Sequence, residues 1–233
     1  MTHLILDIGG VLVYPRLGEW HIPYRAAEIL GPARAATLGT PAFRAAHAES
    51  FHWLDESRIV GSVEEERALR GGFVRELDRR MNWRMTADEI ARMTDDFTDD
   101  IDRYGFFDDL EAYLPVWSRE YALSILSDTM PSMLGFLERR GLLGYFRETV
   151  ISTRVGATKP SPRMYRAAIE ALGAAPGDCL FVDDRLENLQ GALDAGMRAI
   201  QMSRPEFPAA VLWDGPVARD FGELDRLMKE GTS

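Results

Sequence analysis

Residues 4–13 read Leu4-Ile5-Leu6-Asp7-Ile8-Gly9-Gly10-Val11-Leu12-Val13. A short apolar run ends on an acidic residue and then enters a Gly-Gly turn. This is the pattern of a buried strand that delivers a side chain to a loop at its carboxyl end. The same grammar returns in the second half of the chain. Tyr121–Leu126, Thr149–Ser152, Cys179–Val182 and Met197–Met202 read as strands. Pro131–Arg140, Ser161–Leu172, Leu186–Ala195 and Phe221–Lys229 read as helices, with Gly141 and Gly196 as stops and Pro162 in a first turn. Strands alternating with helices predict an α/β fold, a Rossmann-like parallel sheet core with helices on both faces.

Residues 14–105 have a different texture. They are helical in period, rich in Ala, Arg and Glu, and punctuated by Gly31-Pro32, Gly39-Thr40-Pro41, Gly61-Ser62 and Gly71-Gly72. Ser62 with Glu65, and Thr86 with Glu89, read as capping boxes that open helices. No strand is evident, so the stretch reads as an all-helical insert of roughly four helices. The expected organisation is a core made of 1–13 and 106–233, interrupted by a helical domain at 14–105.

Composition bounds the possible partners. The 233 residues are 46% apolar and 27% charged, the balance of a soluble globular protein. A net charge of −10 repels phosphate backbones and anionic bilayers, so neither nucleic acid nor membrane is an expected partner. One cysteine excludes a disulfide framework, and no Cys/His spacing supports zinc. The strand-like residues begin almost at Met1, leaving no room for a signal peptide, and a cytoplasmic monomer or homodimer is expected. No P-loop, dinucleotide, serine-hydrolase or zincin motif occurs.

Ligands of such sheets lie beyond the carboxyl ends of the strands. The polar residues at those ends are Asp7, Ser127-Asp128 and Asp183-Asp184, with Lys159 in a Gly156-Ala-Thr-Lys159-Pro loop. Taken singly, Asp7 reads as a loop cap, Ser127-Asp128 as a helix cap and Lys159 as a solvated lysine. Adjacent carboxylates at 183 and 184 repel one another unless a cation or a proton intervenes. Together they form an oxygen-only cluster suited to a hard cation, most simply Mg²⁺, with a lysine and a hydroxyl that cradle a phosphoryl group. A carboxylate beside that cradle can act as a nucleophile. Lys159 also stands out by rarity: of 27 basic residues, only Lys159 and Lys229 are lysines. A compact ammonium suits a tight phosphate site that a planar guanidinium would not fit.

These residues resemble the four motifs of the haloacid dehalogenase (HAD) superfamily of hydrolases, in order. Asp7-Ile-Gly-Gly-Val-Leu resembles the first motif, Ile125-Leu-Ser127-Asp128 the second, Lys159-Pro-Ser-Pro-Arg-Met-Tyr165 the third, and Phe181-Val-Asp183-Asp184-Arg-Leu-Glu-Asn188 the fourth. The resemblance implies an aspartyl-phosphate on Asp7, with Ser127 and Lys159 holding the phosphate. It implies Mg²⁺ on Asp7, the Gly9 backbone carbonyl, Asp183 and Asp184, with Asn188 ordering the loop. It also implies that 14–105 is a C1-type cap. Gly9, Gly10, Asp128, and from the insert side Arg16 and His21, are the further expected contacts to a small phosphorylated metabolite.

One position departs from the pattern. Most phosphatases of this family carry an acid/base aspartate two residues after the nucleophile, and here that residue is Gly9. Its loss removes about 10²–10⁴ in rate and leaves His21, with Tyr24 behind it, as the candidate proton donor. The alternatives are a weakened phosphate-binding pseudo-enzyme and a metal-independent dehalogenase that attacks carbon. A phosphonate hydrolase would need a cap lysine, and residues 14–104 contain none. His47 and His52 read as helix packing. The acidic residues from Asp95 to Asp109 read as a solvated face.

Overall fold

The computed structural model describes residues 3–55, 58–211 and 213–230. The chain enters through β1 (His3–Leu6) and turns into β2 (Val13–Pro15). The helices α1 (Ala26–Ala35), α2 (Pro41–Ser50), α3 (Val63–Met81) and α4 (Ala87–Asp99) follow, and β3 (Tyr104–Phe106) pairs antiparallel with β2. The remainder runs α5 (Leu110–Glu120), β4 (Ala122–Ser127), α6 (Pro131–Arg139), β5 (Glu148–Ile151), α7 (Ser152–Val155) and α8 (Pro162–Leu172). It closes with β6 (Cys179–Asp183), α9 (Leu186–Asp194), β7 (Arg198–Met202), β8 (Val217–Ala218) and α10 (Phe221–Glu230).

Six strands form one parallel sheet in the order β5-β4-β1-β6-β7-β8. Leu4, Ile5 and Leu6 are completely buried because β1 lies at the centre with a helical layer on each face. Leu4 and Leu6 point into a cluster with Leu123, Ile125, Leu180 and Val182. Ile5 points the other way, toward Leu126, Phe181 and residues of α8 and α9. The period-2 alternation of one strand therefore seeds both cores. Each strand expected from the sequence lies within one residue of its expected bounds at either end.

The insert holds a core of its own around Phe43, Phe73, Leu77, Trp83, Met93 and Phe97, joined by Met130 from the loop before α6. Thr86 and Glu89 form the expected capping box. Ser62 caps α3, but Glu65 turns its carboxylate to the Gly61 N–H at 2.7 Å, so the reciprocal half of that box lies one residue upstream. Gly31 breaks helical geometry within α1, as its pairing with Pro32 suggested. Gly71-Gly72 corrects the reading: both glycines lie inside the uninterrupted α3. A Cβ on Gly72 would come within 2.3 Å of the Trp53 ring, so this glycine serves close packing rather than a turn.

The stretch read as free of strands begins and ends in the β2–β3 ribbon, which ties its two ends together. The acidic run is also less solvated than expected. Asp96 is buried and accepts the Arg25 N–H, while Asp109 accepts from Arg204 and from the Phe221 N–H at the start of α10. His47 packs on Phe43 and Phe73, in line with its expected role.

Candidate active site

The strand order puts β1 between β4 and β6, so the chain leaves β1 toward one side and returns on the other. The crevice at such a switch point opens at the carboxyl ends of these three strands. Asp7 follows β1, Ser127 ends β4 with Asp128 next, and Asp183 ends β6 with Asp184 next. The sequence-predicted catalytic residues therefore converge on one crevice.

Lys159 joins them from the loop between α7 and α8. Its Nζ lies 2.9 Å from Asp7 Oδ1 and 2.6 Å from Asp183 Oδ2, and donates to the Leu126 carbonyl. Burial alone would lower the pKa of this ammonium, but the charges of Asp183 and then Asp7 reverse the effect and hold it firmly protonated. Asp128 fixes the same loop by accepting the Lys159 N–H at 2.9 Å. Asp183 is fully buried and satisfied on both oxygens, by Lys159, by Asn188 Nδ2 at 3.0 and 3.1 Å, and by the Arg185 N–H at 2.9 Å. Tyr165 anchors Asn188 through its carbonyl at 2.7 Å. Two residues that stood out only as motif letters thus form the scaffold behind the acidic pair.

Ligand oxygens of Asp7, Asp183 and Asp184 lie within 4.8 Å of one another. Burial raises the Asp7 pKa to about 6 even against the pull of Lys159. Burial, followed by the charges of Asp183 and Asp7, raises the Asp184 pKa to about 8. Three carboxylates facing one ammonium hold more negative charge than the site can carry unaided. A hard divalent cation on these oxygens resolves that imbalance, so the residues fit the expected metal. Gly10 makes the packing possible. Its φ is +68°, and a Cβ there would sit 2.7 Å from Asp184 Oδ2.

Above the carboxylates is a cavity of about 210 Å³. Asp7, Gly9, Ser127, Asp128, Lys159 and Asp184 line its floor, while Trp20, His21, Leu54, Arg70, Arg103 and Tyr104 contribute to the rest. Three expected residues stand elsewhere. Arg16 is exposed and donates to the Tyr104 carbonyl, fastening the β2–β3 ribbon rather than facing the cavity. Gly10 faces Asp184, and Tyr24 does not line the cavity.

His21 lines the cavity but is no proton donor at neutral pH. Burial, then the charges of Arg70, Arg103 and His47, press its pKa down to about 3, so it is a neutral imidazole. The expectation that it titrates near neutrality is corrected. The space beside Gly9 is also taken: a Cβ there would meet the Trp20 ring at 3.2 Å. The indole occupies the side of Gly9 on which an acid/base carboxylate would project. Arg70 and Arg103 are charged cavity residues that sequence reading missed, because nothing distinguishes two arginines in an arginine-rich chain.

A sequence model of haloacid dehalogenase-like hydrolases matches residues 1–196. Phosphoserine phosphatase of Thermus thermophilus is 36% identical over 118 residues, 46% of each chain. The chain thus spans less than half the length of that curated relative. Among solved structures, L-2-haloacid dehalogenase from Xanthobacter autotrophicus superposes with a TM-score of 0.66 at 19% identity, covering 98% of both chains. A HAD family enzyme from Bacteroides thetaiotaomicron, in complex with magnesium and inorganic phosphate, superposes with a TM-score of 0.59 at 18% identity, covering 92% of this chain and 98% of that one. At these identities the structural likeness speaks for the fold.

Proposed function

This chain belongs to the haloacid dehalogenase-like hydrolases, and we propose that it is a Mg²⁺-dependent phosphomonoesterase for small phosphorylated metabolites, with Asp7 as its nucleophile. The observation that carries this reading is the buried carboxylate cluster of Asp7, Asp183 and Asp184 locked to Lys159. Attack on carbon has no use for a cation-binding acidic pair, whereas phosphoryl transfer needs its negative charge spread and neutralised. The phosphatase named among the relatives supports the same choice. Residues 14–105 act as a cap over a core of 1–13 and 106–233. A cavity below the ~300–1,000 Å³ of most ligand pockets favours a small substrate.

In this mechanism an Asp7 oxygen attacks phosphorus, and the bond from phosphorus to the ester oxygen breaks. Water then attacks the aspartyl-phosphate, releasing inorganic phosphate and restoring Asp7. Lys159 holds the nucleophile in place and faces the phosphoryl oxygens, and Ser127 lines the cavity floor beside Asp7. Trp20 shields the side of Gly9 from water. Asp7, Asp184 and the Gly9 carbonyl would hold Mg²⁺ with Asp183 behind them, and the bound ion would neutralise charge on the phosphoryl group. A phosphate-release screen with and without Mg²⁺, alongside halide release from 2-chloropropionate, tests the proposal. Metal-independent halide release without phosphate release would reverse it.

Two expected results follow from the same geometry. The raised Asp184 pKa means that the metal-free protein loses stability as pH rises from about 4 through 8, because the unfolded carboxyl ionises first. Mg²⁺ removes that penalty, so its increment in thermal unfolding midpoint should be larger at pH 8 than at pH 5.5. An increment independent of pH would contradict metal binding at this cluster. The second result concerns the leaving group. With Gly9 in place of an acid and His21 neutral, aryl and anomeric phosphates should turn over roughly 10² times faster than simple alkyl phosphates. His21→Ala should leave that ratio unchanged. Equal rates on both classes would show that another acid serves.

A further inference from the structure

The cavity over Asp7 has a second cationic pole. Arg70, on α3, and Arg103, between α4 and β3, both line it, and they are only 7% and 5% exposed. Their guanidinium carbons lie 4.1 and 4.6 Å from the centroid of the same Phe97 ring. Burial and the Arg70 charge bring the Arg103 pKa down to about 10, which leaves it a cation at neutral pH.

One carboxylate bonds directly to the pair, and Asp96 adds its charge beside Arg103. Arg70 Nε donates to Glu66 Oε1 at 2.6 Å, and that carboxylate also accepts the Ser132 N–H and hydroxyl at 2.7 and 2.6 Å. Among the described residues Arg103 makes no ion pair. Its Nη atoms donate to the carbonyls of Phe97 and Trp20. The Nη atoms of Arg70 have no hydrogen-bond partner among the described residues. Only one of the two buried guanidiniums is ion-paired among the described residues, and interior surroundings screen the other's positive charge poorly. His21 lines the same cavity, is neutral and adds a hydrogen-bonding group without charge. Leu54, Trp20 and Tyr104 supply the apolar surface nearby.

The floor already provides Lys159 and Ser127 for the phosphoryl group, so this second pole is left for the rest of the substrate. We infer that Arg70 and Arg103 form an anion subsite for the leaving group, and that the substrate is a small phosphate ester with a second anion, a carboxylate or a second phosphate, on a short carbon chain. The inference rests on the phosphatase reading of Asp7. A guanidinium fork matches either anion, and a site built to pair a charged group discriminates strongly against an analogue that lacks it.

Three esters decide the matter: 3-phosphonooxypropanoate, propane-1,3-diol bisphosphate and n-propyl phosphate. The wild-type kcat/KM for at least one of the first two should exceed that for n-propyl phosphate by about 30-fold or more. Whichever is preferred identifies the second anion. Arg70→Gln and Arg103→Gln should each shrink the preference to less than about threefold, mainly through KM. Arg70→Lys, which keeps the charge without the fork, should restore part of it. Equal kcat/KM on all three esters would overturn the subsite while leaving the phosphatase reading intact. No phosphate from any of these esters and none from an aryl phosphate would overturn that reading instead. Calorimetric binding of the same esters to Asp7→Asn protein then answers separately, and it also decides if the arginine variants do not fold. At least about tenfold tighter binding of a dianionic ester supports the subsite, and equal affinities overturn it.

Discussion

Asp7→Asn should lower turnover by roughly 10⁴-fold or more, with no loss of thermal stability. The amide is nearly isosteric with the carboxylate but cannot donate an electron pair to phosphorus as the charged oxygen does. At ~1.4 kcal/mol per decade this corresponds to about 5 kcal/mol of transition-state stabilisation. Stability should hold because burial already penalises the Asp7 charge, raising its pKa to about 6. Lys159 keeps its shorter contact with Asp183 at 2.6 Å in the variant. Steady-state phosphate release and a thermal melt on the same preparation check both halves. Turnover within tenfold of wild type would rule out Asp7 as the nucleophile.

Lys159→Met should remove activity and also destabilise the fold. The Lys159 side chain is 1% exposed, and its ammonium is the only cation in direct ion-pair contact with Asp7 and Asp183 among the described residues. Breaking a buried pair by deleting one partner costs about 3–5 kcal/mol, because the other charge stays buried alone. For a chain of this size that lowers the unfolding midpoint by roughly 6–20 °C. The loss should be smaller at pH 5 than at pH 8, since the orphaned carboxylates can take up protons as pH falls. An unfolding midpoint unchanged at pH 8 would mean that the lysine is not the counter-ion described here.

Much of the fold was readable because each layer repeats its own signal. Leu4-Ile5-Leu6 and Cys179–Asp183 are strands buried on both faces, and such strands show as unbroken apolar runs. Asp7, Ser127 and Asp183 were legible for the same reason, each standing where such a run ends, whereas Lys159 was legible through its rarity in an arginine-rich chain. What escaped depends on tertiary partners. β8 is only two residues long and exists by pairing with β7. α5 carries Pro115 in its interior, which hides its helical signal. Gly71-Gly72 resembles a break until Trp53 is seen packed against it. Arg70 and Arg103 enter the cavity from α3 and the segment after α4, 33 positions apart, and no spacing links them to Asp7. The correction to His21 has a similar origin, since its neutrality comes from burial and from those same two arginines.

In the proposed reaction a phosphoryl group passes through the Asp7 side chain. A single turnover with a reactive aryl phosphate, quenched in acid within the first half-life and followed by peptide mass analysis, tests it most directly. One added phosphoryl group is expected on the peptide containing Asp7, lost on longer incubation and absent from Asp7→Asn protein. Repeating the turnover in heavy-oxygen water should place the label in released phosphate and none in the Asp7 carboxylate. Phosphate release with an unmodified Asp7 peptide at every quench time, or heavy oxygen incorporated into Asp7 itself, would contradict it.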